Sequence, residues 1–555
     1  MIKDEILSLL RDSLKKNGVE AREFNLQHPA NTQHGDYSSN VALIHANQLK
    51  KQPFELAQSI KDSIAQSELL EKVTVEKPGF INFFLSEKAL LEKLEEVNGS
   101  SVDKKRSIAK KTVLLEYGQP NTHKTPHIGH LFSYIFGESL ARILEYTGNK
   151  VIRANYQGDV GLHVAKCLHQ VKAKSKQVKE LKSLSDKIAF LQQCYQEGST
   201  LYEEDKRIQA EIDKLNQKIY HRDPEITKLW NETRKWCLDF FQQFEKTLGI
   251  KYDKYYFESE TAERGKEIVE KHVGDIFAKS DEAIIFKGEQ YGLHTRVFIT
   301  KFGMPTYEAK DIGLNELKSR LDFDLSIVTT ANEQNEYYKV VTKVSELIFP
   351  KLKGKLKHLG FGLIQLKTGK MSSRTGKIID AFGVVDLTED AIKKQYDIDQ
   401  QLAQTIGLAA IKYSFLRSDA YKNIVFDLEK SIAREGDSGP YLLYTYVRTQ
   451  SILGKTSSFK APNVRVELNP EEKNLLRSIY RFPEIIEAAV ERYSPHLVAT
   501  YLFQLSQSFN FFYQKHSVLK ADESTKQFRL ALTQAVGKTI KEGLYLLGIE
   551  TVKKM

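Results

Sequence analysis

The sequence predicts a multidomain chain: a parallel α/β domain with a helical insertion, preceded by a small α+β domain and followed by an all-α domain. Three observations carry this. The length, 555 residues, exceeds what one hydrophobic core supports and suits three or four domains. From Thr112 to Tyr156 the pattern runs strand, loop, helix, strand, the order of a βαβ unit. Beyond roughly Thr388 the apolar residues recur almost wholly with helical period.

In order along the chain, Ile2 to Lys16 is read as a helix with Ile2, Ile6, Leu9, Leu10 and Leu14 apolar. A polar loop, His28 to Asp36, precedes helical patterns at Ser39–Lys50 and Pro53–Ala65. Val73–Leu85 alternates around Pro78-Gly79 and reads as a strand pair. These elements make an α+β domain over residues 1–100, and Asn98 to Lys111 reads as a linker. Thr112–Gly118 is a buried strand, Gly129–Tyr146 a helix stopped at Gly148, and Val151–Tyr156 the next strand. They open a Rossmann-type domain over 108–390, with a helical insertion at about 165–255 whose charged part, Val171 to Arg222, reads as a solvated surface hairpin. Strands return at Ala283–Phe286, Thr295–Ile299 and Leu325–Thr329, then a helix at Glu336–Ile348 and a basic loop at Lys367–Lys377. The all-α domain, 391–555, carries helices at Tyr441–Gly454, Glu471–Tyr493, Pro495–Gln514 and Thr525–Leu547.

Composition narrows the class. Hydrophobic residues at 41% and charged residues at 28% exclude a disordered chain. A net charge of +10 permits a nucleic-acid partner without requiring one. Cys167, Cys194 and Cys237 form no C-x-x-C pair, so neither a zinc site nor a disulfide framework is readable; a reducing cytoplasm is expected. The N-terminus lacks the basic start and apolar stretch of a secretory signal, and no apolar run is long enough to span a membrane.

Two motifs carry chemistry. His127-Ile128-Gly129-His130 follows a predicted strand and opens a predicted helix, where unpaired N–H groups and the positive dipole end attract phosphate. An H-x-G-H arises by chance in such a chain with probability about 0.02, so the spacing is informative. The second is Lys370-Met371-Ser372-Ser373-Arg374, a basic loop able to close on a triphosphate. Read alone, it is as often an ordinary solvated loop.

Together these motifs resemble the HIGH and KMSKS signatures of class I aminoacyl-tRNA synthetases. The flanking residues resemble the arginyl-tRNA synthetases in particular. Glu116 and Tyr117 lead through Pro120-Asn121 to Lys124, three residues before His127. Gly303 to Gly313 resembles that family's G-x-P-T-Y-x-x-x-D-I stretch, and Glu435 to Tyr444 its E-G-x-S/T-G-P-Y-x-x-Y segment. Gly35-Asp36-Tyr37 with Asn40, then Pro78 to Phe83, resembles its added N-terminal domain, and the ending at Met555 also fits, so the resemblance spans nearly the whole chain.

The resemblance implies an arginine–tRNA ligase using ATP with Mg²⁺ and no protein-bound zinc or other metal, with arginine, ATP and tRNA-Arg as partners, cytoplasmic and monomeric. Glu116, Asn121, His127, Tyr307, Asp311 and Gln334 would bind arginine. A buried guanidinium, planar and always charged, demands carboxylates in fork geometry, the role implied for Glu116 and Asp311. His127, Gly129, His130, Lys370, Met371, Ser372, Ser373 and Arg374 would bind ATP. Ser373 stands where the second signature has lysine; the family's answer is Lys124, which joins His127, His130 and Lys370 as the catalytic set. Phe132, Val160 and Tyr337 also depart, standing where Arg, Trp and His are usual. The all-α domain would bind the anticodon through Tyr441, Tyr444, Arg448, Tyr513 and Met555, and Asn40 and Phe80 would contact the tRNA elbow. The family further implies that tRNA binds before arginine is activated.

Overall fold

The computed structural model describes residues 1–20, 24–99, 110–367, 380–456 and 467–555. The chain forms two compact units: one gathers residues 1–104, 448–484 and 504–540, the other 105–447, 485–503 and 541–555.

The larger unit is built on a five-stranded sheet of β1 (Thr112–Glu116), β2 (Lys150–Gln157), β3 (Lys254–Phe257), β4 (Leu325–Ala331) and β5 (Leu356–Phe361). Its order is β5-β4-β1-β2-β3 and every pair is parallel. Val113, Leu114 and Leu115 of β1 are consecutive and all buried, as a strand covered on both faces requires. The connection from β1 runs through α1 (Ile128–Tyr146) to β2 on one side, while β4 flanks β1 on the other. The order therefore reverses beside β1, and at its C-terminal end a crevice opens where such sheets hold ligands.

Between β2 and β3 lies the helical insertion, with helices at Leu162–Ala173, Ser175–Val178, Leu184–Glu204 and Lys206–Tyr220, and α2 at Pro224–Leu248. It is more than the solvated hairpin expected. Val164, Leu168, Ile212 and Trp230 form one buried cluster, and Cys167, Leu191, Trp236 and Phe241 a second. The two strands expected at Ala283–Phe286 and near Thr295 are present but lie outside the parallel sheet. With Ala278–Ser280 they form a separate antiparallel sheet around Phe277, Phe286 and Phe298.

The helix Glu258–Lys271 packs against α3 (Tyr307–Lys318) with almost no side chain between them. A Cβ at Gly265 would lie 1.9 Å from the Ala309 carbonyl oxygen, and one at Gly313 2.2 Å from that of Thr261. Only glycine permits this approach, which fixes α3 and its carboxylates against the sheet edge. The helix α4 (Asn335–Ile348) joins β4 to β5. The region from Thr388 is not wholly helical, because Ile424–Phe426 pairs in parallel with Ile364–Leu366.

In the smaller unit, Tyr37–Ser39, Leu70–Glu76 and Phe80–Leu85 form an antiparallel sheet with Phe80–Leu85 central. Its long helices run through Pro470–Glu491, His496–Lys515 and Glu523–Leu546, each in the part belonging to this unit. Asp36, fully buried, accepts from Arg477 Nε at 2.7 Å and from the Leu85 amide at 3.0 Å. His28 and the Tyr37 hydroxyl both meet Glu484. Asp36 and Tyr37, a few residues before Asn40, are thus sealed against the helix Pro470–Glu491.

Candidate active site

The loop from β1 to α1 is pinned from both sides. The Gln119 amide donates to Asn155 Oδ1 at 3.1 Å, the Thr122 amide to the Gly158 carbonyl at 2.8 Å, and the Gly158 amide to the Pro120 carbonyl at 3.2 Å. The insertion supplies the rest. Gln192 accepts from the Thr125 amide at 2.8 Å, and buried His123 sits between the hydroxyls of Thr122 (2.9 Å) and Thr233 (2.8 Å). Burial, reinforced by Arg234, pushes His123 down to about 3, so it is a neutral buttress. Gln119 and His123 hold φ of 52° and 62°, left-handed values these hydrogen bonds maintain.

His127 is the N-cap of α1. Its Nδ1 accepts from the Gly129 amide at 3.1 Å, and His130 Nδ1 accepts from the His127 amide at 3.1 Å. An accepting Nδ1 places the proton of a neutral imidazole on Nε2. Burial and nearby Lys124 lower the pKa of His127; burial, His127 and Lys124 hold His130 well below the usual range. The two rings, 3.8 Å apart, are therefore paired neutral N–H donors at a helix N-terminus. Lys124 forms no ion pair among the described residues, and burial lowers its pKa against the opposing pull of Glu258.

A cavity of about 820 Å³ extends from these histidines to α3 and α4. Asn121, Gly129, Tyr307, Asp311 and Gln334 line it. Asp311 Oδ2 accepts from the Tyr337 hydroxyl at 2.8 Å; burial first, and then Glu116, push its pKa up to about 7. Tyr307 opens α3 one turn before Asp311, and the Lys310 ammonium lies 4.8 Å from its ring while pairing with Glu258 at 2.7 Å.

Glu116 differs from the expectation. It is buried one layer behind the cavity wall, in ion contact with Lys318 at the end of α3, though that contact lacks hydrogen-bond angles. Its other oxygen accepts from Gln119 Nε2 at 2.7 Å. Lys318, Gln119 and Glu258 are not named for the pocket by the sequence, and Tyr337 is named only as a departure from the family's histidine. For two of them a signal existed. Tyr337 is one helical turn past Gln334, and Lys318 is a cation two turns past Asp311 on the same helix face. Phe132, in place of an arginine, fills core space beside Phe136, Phe361 and Phe415. Lys370, Met371, Ser372, Ser373 and Arg374 lie outside the described residues.

The residues expected to meet RNA fall in both units. In the larger, Tyr441 packs 5.8 Å from Phe503, Tyr444 is 41% exposed, and Met555 is half-buried. In the smaller, Arg448 donates to Asn510 Oδ1 at 2.5 Å and lies 5.3 Å from the Tyr513 ring. Phe80 is half-buried there, and Asn40 Oδ1 and both polar atoms of Asn82 are buried without hydrogen-bond partners among the described residues.

A parallel sheet with paired imidazoles at the helix following its first strand is the architecture of a class I tRNA-synthetase catalytic domain, and the family profile described as "tRNA synthetases class I (R), catalytic domain" matches residues 93–428. The arginyl-tRNA synthetase N-terminal domain profile matches residues 2–85 and the DALR anticodon binding domain profile residues 442–555. The arginine–tRNA ligase of Flavobacterium psychrophilum is 31% identical over 480 residues, 80% of each chain. That of Shewanella pealeana is 30% identical over 587 residues, all of both chains. The chain belongs to the arginyl-tRNA synthetase family. The arginyl-tRNA synthetase structure from Thermus thermophilus shares the fold over all of both chains, with a TM-score of 0.83 at 24% identity. The structure from Plasmodium falciparum gives 0.82 at 20% identity, over 100% of this chain and 99% of that one.

Proposed function

We propose that the chain is an arginine–tRNA ligase that activates arginine with ATP to arginyl-adenylate and transfers the arginyl group to the 3′ end of tRNA-Arg, releasing AMP and pyrophosphate. The observation that carries the site-level reading is one cavity with Asp311 and Tyr337 at one end and the paired His127 and His130 donors at the other.

Arginine's side chain enters toward Asp311, with Tyr307 beside it, and Asn121 and Gln334 hold its α-amino and carboxylate groups near the phosphates. Its carboxylate oxygen attacks the α-phosphorus of ATP, the bond to the bridging oxygen breaks, and pyrophosphate leaves. No protein nucleophile takes part, so catalysis is positioning and charge stabilisation. The Nε2–H groups of His127 and His130 and the Lys124 ammonium face the charge that builds on the phosphates, with Gly129 against the nucleotide and Lys370 to Arg374 acting from the loop beyond. Among the described residues no group of three or more His, Cys, Asp or Glu is placed to hold a metal; Mg²⁺ enters as the counterion of ATP, and no step is routed through it.

On the RNA side, exposed Tyr444 is suited to stacking on an unpaired base, with Tyr441, Arg448, Tyr513 and Met555 as further anticodon contacts. Asn40 and Phe80, both half-buried, are the contacts proposed at the tRNA elbow. Charging tRNA places the chain in the cytoplasm, and it acts as a monomer. Among the described residues no helix is long and apolar enough to cross a membrane.

The test is ATP–pyrophosphate exchange with arginine, with and without tRNA-Arg, beside a lysine control. Exchange with arginine and tRNA alone supports both the reaction and its tRNA requirement. Exchange with arginine in the absence of tRNA removes the tRNA-first order, and exchange with lysine removes the substrate assignment.

A further inference from the structure

We propose that Lys318 is a positioning residue that sets the charge of the arginine pocket: it holds Glu116 behind the wall and leaves Asp311 as a buried carboxylate, without a cation of its own among the described residues, facing the guanidinium. This rests on the arginine reading above.

Glu116 ends β1 and Asp311 lies on α3; they are 1% and 8% exposed and border a shared void of about 20 Å³, room for about one water. Lys318 follows Asp311 by seven residues, nearly two full turns, so the helix returns its side chain to the same face. It is 4% exposed, and its ammonium meets Glu116. Gln119, which itself lines the large cavity, holds the other Glu116 oxygen, so both carboxylate oxygens are engaged by protein groups behind that wall.

The charges then balance. Glu116 and Asp311 contribute two negative charges and Lys318 one positive, leaving one for the single positive charge of arginine's side chain. Two buried carboxylates without Lys318 would not both stay ionised. The groups facing Asp311 agree with this. Glu116 on β1 and Glu258 disfavour its charged form, while Tyr337 and Lys318 favour it; Tyr156 and Tyr338 are neutral phenols held so by burial. Glu258 is itself neutralised by Lys310. With Asp311 titrating at about 7, it loses its charge on mild acidification, and loss of the lysine charge moves that titration upward.

The experiment measures arginine KM and kcat in tRNA charging from pH 6 to 8.5 for the wild type, K318M, K318R and the double variant E116Q/K318M, with thermal melts beside them. In K318M the arginine KM at pH 7 rises about fivefold or more, the effect falls on KM and not kcat, and the KM profile shifts to higher pH; one unit of upward shift from about 7 cuts the ionised fraction of Asp311 at pH 7 from about one-half to about one-tenth. K318R recovers most of the loss. The double variant exchanges an ion pair for two neutral groups, and its KM and pH profile return toward wild type. An unchanged KM profile in K318M overturns the proposal. So does a folded double variant whose KM stays about fivefold or more above that of the wild type, because Glu116 would then touch arginine directly. Should K318M fail to fold, the double variant decides alone. A wild-type chain that charges no arginine sinks the parent reading instead.

Discussion

Adding one carbon at Gly158 should disable the site without unfolding the domain. A Cβ there would lie 2.2 Å from Asn121 Oδ1 and 3.2 Å from its Cγ. Ordinary contact needs about 3.4 Å, so the amide must retreat by about 1 Å. The next atom, Glu258 Oε1 at 3.4 Å, needs no movement. The displaced group is the end of a side chain on the cavity wall, so the stability cost is about 1 kcal/mol or less. A 1 Å misplacement of a substrate-positioning group costs about 10²-fold in rate, or about 2.7 kcal/mol of transition-state stabilisation. Gly158→Ala should therefore lower kcat/KM for arginine by about 10²-fold while the melting temperature moves by only a few degrees. The companion variant is Gly158→Ala with Asn121→Ala, assayed by tRNA charging. Both changes remove one interaction, so the double should be no worse than Asn121→Ala alone. A Gly158→Ala enzyme within about threefold of wild type, or a double whose losses simply add, would refute the reasoning.

Three further outcomes are expected. His130→Asn keeps an acceptor for the His127 amide but removes the Nε2–H, so kcat for activation should fall by about 10²–10³-fold, read by pyrophosphate exchange. His123 titrates at about 3 in the fold and near 6.5 unfolded, so below pH 6.5 the unfolded chain takes a proton that the native state refuses. Its contribution is complete above pH 6.5 and is lost by about 1.4 kcal/mol per pH unit as pH falls toward 3; urea unfolding at pH 7 and 5 should show about 2 kcal/mol more loss in wild type than in His123→Asn. Arg477→Met leaves Asp36 buried without its cation and should destabilise the smaller unit by about 3 kcal/mol, seen as faster proteolysis within the first hundred residues. A variant cleaved at the wild-type rate would show that the pair contributes little.

The parts legible in the sequence are those encoded locally. Thr112–Glu116 is a run of apolar and β-branched residues, and α1 begins where His127 and Gly129 interrupt it and ends near Gly148, so periodicity finds both. Tyr37–Ser39 and Ile424–Phe426 were missed because each is three residues long and exists only through pairing with a distant strand. The same limit hid the antiparallel sheet, whose strands look like parallel ones until partners are assigned. In the site, motif residues carried their own signals, but the ion pair that holds Glu116 behind the wall joins positions some two hundred residues apart. Charged residues of the insertion likewise gave no sign that Gln192 and Thr233 hold the loop beneath the histidines.

The contact between Asp36 and Arg477 also sets a clock. Its partners are 441 residues apart, so on a ribosome making about 5–20 residues per second the aspartate emerges roughly 20–90 s before its arginine exists. Through that interval the first sheet carries a carboxylate with no cation to seal it, and Tyr37 has no Glu484 to meet. This domain is therefore closed long after its own strands are made, and a chain ended before residue 477 leaves it unfinished.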